Sequence, residues 1–111
     1  MTGARDDRRR MTDGTGVLLH ALAKRAGAAP CVERIASTPW ASITFTGMRH
    51  TLRLRFDGAD AGARARAMTA GLGYAEFDLG RYTLVDVAVA EREDHDGCAR
   101  LTLEALVIES D

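Results

Sequence analysis

The amino-acid sequence predicts an α+β domain. The expected form is a two-layer sandwich: an antiparallel sheet of about five or six strands with two helices packed on one face, in the order α-β-β-(β)-α-β-β-β. Three observations support it. Apolar residues recur at helical spacing in two segments, 16–26 and 61–73. Elsewhere they alternate with polar residues at period two, as Leu52, Leu54 and Phe56 do with Arg53 and Arg55. Short turn signals, above all Asp96-Gly97, join neighbouring strands without room for helical crossovers.

In chain order, residues 1–15 are nearly free of apolar side chains and are expected to form a disordered tail. Met11 reads there as an alternative start, and Arg8, Arg9 and Arg10 as solvated charges beside Asp6 and Asp7. A first helix is expected over 16–26. Leu18, Leu19, Leu22 and Ala26 form its apolar stripe, His20 and Lys24 the opposite face, Thr15 or Asp13 its N-cap and Gly27 its C-terminal stop. Residues 31–37 fit either an edge strand or a short helix opened by Pro30, and Pro39 breaks the run.

Ile43 and Phe45 then alternate with Ser42, Thr44 and Thr46, Gly47-Met48 offers a tight turn, and a strand runs through Phe56. Asp57 or Asp60 caps a second helix, read with Ala63, Ala67, Ala70 and Met68 inward and Arg64 and Arg66 outward. Three strands follow. One alternates through Ala75, Phe77 and Leu79, the next through Val85, Val87 and Val89 against Asp86, Ala88 and Ala90. The last runs through Leu101, Leu103, Ala105 and Val107. An echo between residues 23–27 and 67–71 rests on two matched small residues, too few to establish a duplication.

The chain of 111 residues is one domain by length, 16–111 once the tail is set aside, and can bury a core without a metal or disulfide staple. A formal net charge of −1 argues against a dedicated nucleic-acid or membrane-surface binder, both of which rest on a strong positive field. No apolar run approaches the ~18 residues of a membrane span, and the polar N-terminus has no secretory pattern. Cys31 and Cys98, in no CxxC pattern, read as small hydrophobes in a reducing compartment, so a soluble cytoplasmic protein is expected. Fourteen arginines against one lysine is the codon usage of a GC-rich, hence bacterial, genome. It weakens any claim that arginine was selected at a given site for its fork.

The densest constellation is Arg49, His50, Arg53 and Arg55. With Leu52, Leu54 and Phe56 facing the helices, Arg53 and Arg55 are expected on the open sheet face, with Arg49 as a further binding residue and His50 near their side. Glu76, Asp78, Asp86 and Glu104 are expected across from them, as cross-strand partners. Ala88, Ala90, Leu106 and Ile108 make that face apolar at one end, as in a strand covered twice. The cover would come from the N-terminal segment, Trp40 or a second subunit.

The reading that fits is a non-enzymatic module that self-associates as a homodimer through this face, or holds a small anionic or apolar ligand. In the dimer, Arg53 and Arg55 would meet Glu76, Asp78 or Glu104 of the other chain. An enzyme acting on an anionic substrate is the alternative, with His50, Glu76 and Glu104 as acid–base candidates. A weak nucleic-acid binder is a third, opposed by the lack of aromatic side chains among the arginines. No cofactor or metal is expected. Residues 91–98 lack the calcium-loop pattern and a second His or Cys pair for zinc, and the chain holds no Walker, GxGxxG, GxSxG or HExxH motif.

Overall fold

A computed structural model describes residues 14–109. The expectations for residues 1–13, including Met11 and Arg8–Arg10, lie outside the described residues. Gly14 and Thr15, expected in the tail, are buried and lead directly into helix α1 (Gly16–Ala26). Leu18, Leu22 and Ala26 point into the core, and Gly27 ends the helix at φ 79°, donating its N–H to the Ala23 carbonyl.

Two strands follow, β1 (Cys31–Ala41) and β2 (Thr46–Asp57), then helix α2 (Ala61–Thr69), a 3₁₀ turn (Leu72–Tyr74), β3 (Tyr82–His95) and β4 (Cys98–Glu109). The sheet has four strands in the order β1-β2-β4-β3, every neighbouring pair antiparallel. The α+β class therefore holds, with fewer strands than expected. Leu52, Leu54 and Phe56 of β2 join Ala99, Leu101, Leu103, Ala105 and Val107 of β4 beneath the two helices.

Four expectations are corrected. Residues 75–79 form no strand. Ala75, Phe77 and Leu79 do turn inward while Glu76 and Asp78 face out, but apart from one isolated Leu79–Tyr82 bridge the backbone finds no ladder partner. The turn between β1 and β2 lies at Ser42–Phe45, closed by the Ser42 N–H to the Phe45 carbonyl, and Ile43 is fully exposed at its tip. Gly47 belongs to β2. A Cβ there would sit on the Val107 carbonyl oxygen, so only glycine lets β2 close on β4 at that point. Residues 31–37 are strand, and Pro39 does not end it, because β1 is an edge strand whose outer side makes no ladder.

Helix α2 is rotated from its expected setting. Ala61, Ala65 and Met68 are buried, with Leu72 beyond, whereas Ala63, Ala67 and Ala70 are exposed. Alanines on every side gave no contrast, and the Met68–Leu72 spacing decides the face.

The chain thus uses an α-β-β unit twice, with the second strands of the two units, β2 and β4, paired at the centre. The echo seen in sequence falls at equivalent places, since Ala26-Gly27 and Ala70-Gly71 both follow a helix with the glycine left-handed. The helices brace each other by exchanged arginines. Arg25 of α1 donates to the carbonyls of Met68 (2.9 Å) and Ala70, and Arg64 of α2 donates to the Ala26 carbonyl (3.2 Å). Each guanidinium thereby meets carbonyls at the C-terminal end of the other helix, the negative end of its dipole.

Candidate interaction face

The helices cover one face of the sheet; the other face carries the constellation found in sequence. Strand register fixes its rows. Trp40, Gly47, Ile108 and Thr83 stand in line at one end, and Ala36, Thr51, Glu104 and Ala88 across the middle. Arg34, Arg53, Thr102 and Glu91 follow toward the other end.

Three bulges, all on edge strands, add residues to this face. Glu33 with Arg34 opposes Arg53, Val85 with Asp86 opposes Leu106, and Ala90 with Glu91 opposes Thr102. They also break strict alternation. Val87 and Val89 face the helix layer as expected, but Val85 is shifted out of phase with them and is half exposed.

The bulge at Glu33 builds the electrostatic centre. Its carboxylate receives Arg55 Nη1 at 2.8 Å, Arg100 Nε at 3.2 Å and Arg53 Nε at 3.8 Å, so three guanidiniums converge on one acid. Arg55 also grips Asp57 with Nε, 3.0 and 3.1 Å from the two carboxylate oxygens. These hydrogen bonds, to Asp57 first and Glu33 second, hold the Arg55 guanidinium above its ordinary pKa, against a small opposing effect of burial. Glu33, Arg34, Arg53 and Arg100 together line an open depression.

The other end of the face is apolar. Leu106 is only 7% exposed although no helix lies over it, Trp40 and Ile108 are half-buried, and Val85 is 52% exposed. Beyond them the β1–β2 turn presents Ile43 and Phe45 to solvent.

Arg49, Arg53 and Arg55 stand on this face as expected, and so do Asp86 and Glu104. Glu76 and Asp78 do not. They lie on the 75–81 segment, at an open depression shared with the start of β3.

His50 is also displaced from its expected place. It is in phase with Leu52 and Leu54, so it points toward the helix layer, fully buried, with Nδ1 2.7 Å from Ser37 Oγ. Period two had already placed residue 50 with the leucines; proximity in sequence to the arginines obscured it. His50 and Glu104 therefore occupy opposite faces and Glu76 a third place, so the three acid–base candidates are not brought together.

Glu33, Arg34 and Arg100, which complete the cluster, were not singled out in sequence, because the bulge puts Glu33 on the opposite side from Ile35. Among the described residues, no group of three or more His, Cys, Asp or Glu side chains is placed to hold a metal. No helix is long and apolar enough to cross a membrane. Comparison of the chain with family models, with curated proteins and with solved structures finds no match.

Proposed function

We propose that this protein is a non-enzymatic module that works by self-association through the uncovered sheet face. The observation that supports it is the apolar end of that face, Trp40, Leu106, Ile108 and Val85, lying next to a charged end on a sheet clad by helices on one side only. Such a patch rimmed by charge is the usual form of a protein-docking surface. The edges of the sheet are poor alternatives. β1 carries a bulge and Pro39, and β3 carries two bulges and a run of charges, devices that oppose strand-to-strand pairing.

Sedimentation velocity over a range of concentrations tests the reading. A species at twice the 12.0 kDa chain mass is expected, and Ile108→Asp, which places a charge in the apolar end, is expected to abolish it. A chain that stays monomeric at high micromolar concentration would overturn the proposal.

A second reading draws on the arginine cluster: Arg34, Arg53 and Arg100 around Glu33 could receive a small anion. It is separable from the first, since binding of inorganic phosphate would be lost in Arg100→Ala without any change in assembly. The enzyme reading has less support, because His50 faces away from Glu104.

A further inference from the structure

Resting on the self-association reading, we propose a specific arrangement: the second copy lies face to face about a twofold axis running along the strands between β2 and β4. Each chain's β1–β2 half then covers the β4–β3 half of its partner. Charge carries the inference. On the open face the β1–β2 half bears Arg34, Arg49, Arg53 and Arg55 against Glu33 and Asp57, a net of +2. The β4–β3 half bears Asp86, Glu91, Glu93 and Glu104 against Arg100, a net of −3.

A twofold axis along the strands exchanges these halves and keeps each row opposite itself. Arg34 and Arg53 then stand over the partner's Glu91, Ala36 over the partner's Ala88, and Trp40 over the partner's Thr83 beside Ile108. The small residues of the middle row permit close approach. An axis across the strands would do the opposite, laying β1 on β1, basic half on basic half, and the apolar end on the charged end.

The size fits. Four strands ~4.8 Å apart and about 11 residues long at ~3.3 Å per residue present roughly 700 Å² in projection, near the ~800 Å² per partner of a standard interface. Aligned sheet packing tolerates the ~30° rotation that sheet twist imposes.

The test is an exchange of charge between two variants, each verified as folded by circular dichroism. One carries Arg34→Glu with Arg53→Glu, the other Glu91→Arg with Glu93→Arg. All four residues are exposed except for the contact of Arg53 with Glu33, so the fold is expected to persist. Each variant alone is expected to self-associate at least tenfold more weakly than the parent, as like charges face each other in both contacts. An equimolar mixture is expected to recover parental affinity as a heterodimer, because both contacts are then of opposite sign.

A parent chain that dimerises while either variant dimerises equally well, or while the mixture fails to recover, overturns this arrangement and leaves self-association standing. A monomeric parent overturns both.

Discussion

Gly47→Ala is a one-carbon change whose cost can be worked from the central strand pair. Gly47 opposes Ile108 where β2 meets β4. An added Cβ would fall on the Val107 carbonyl oxygen, 2.9 Å from Ile108 Cγ2 and 3.0 Å from Ile108 Cα. The Ile108 methyl can rotate away, but the two backbone atoms cannot. Ordinary contact begins near 3.4 Å, so the strands must part locally and the flanking ladder bonds lengthen.

Two weakened bonds at about 0.5–1.5 kcal/mol each set the loss. Against it stands about 0.4–1 kcal/mol gained by restricting the unfolded chain. With backbone distortion added, the net is a destabilisation of about 1–3 kcal/mol, read as a lower midpoint in urea denaturation at unchanged slope. Gly73→Ala is the control, since a Cβ there meets nothing within 4 Å and the backbone φ is not positive. It is expected to be neutral or slightly stabilising. If Gly47→Ala proves as stable as the control, the close approach of β2 to β4 at this row is refuted.

Other perturbations address other parts. Arg25→Met removes donors to the Met68 and Ala70 carbonyls and the stacking of the guanidinium 5.8 Å from the Phe77 ring centre. It is expected to cost about 1–2 kcal/mol in urea denaturation, less than a fully buried charge-assisted bond because the side chain is partly exposed. Ser37→Ala strips one hydrogen bond from the buried His50 ring and is expected to cost about 1–2 kcal/mol by the same measurement.

Asp94 is held below its ordinary pKa first by the hydrogen bond from Arg92, with burial opposing. Its contribution to stability is therefore present above the ordinary aspartate range and is lost as pH falls through the lowered value. NMR titration of Asp94 is expected to show a midpoint below the 3.8 of an unperturbed aspartate, returning toward it in Arg92→Met.

How much of this was legible in the sequence depends on the contrast available at each site. Helix α1 was legible to the residue, because leucines at helical spacing stand against His20 and Lys24 and Gly27 marks the stop. β2 and β4 were legible because both are central strands with one fully buried face. Alternation failed on the edge strands, where a bulge costs only one side of a ladder: Glu33, Val85 and Ala90 each shift the phase in a way no composition signals. The 75–79 segment shows a different limit, since period two reports which side chains turn inward and not whether a neighbouring backbone is there to pair. The arginine cluster was half visible, with Arg53 and Arg55 read from β2 but their shared acid hidden by the bulge that delivers it.

The doubled α-β-β unit also has a consequence for the growing chain. Its first half ends in β2, a strand without a register shift in either of its ladders, whose proper neighbour β4 begins about forty residues later. Until β4 is made, β2 offers an open, regular edge, while the strands defended by bulges are the ones that end up outermost. A fragment stopped at the Asp57–Asp60 connection is therefore expected to pair with its own kind through β2. The second half, supplied separately, would compete for the same edge, so the finished fold depends on the two halves finding each other before like finds like.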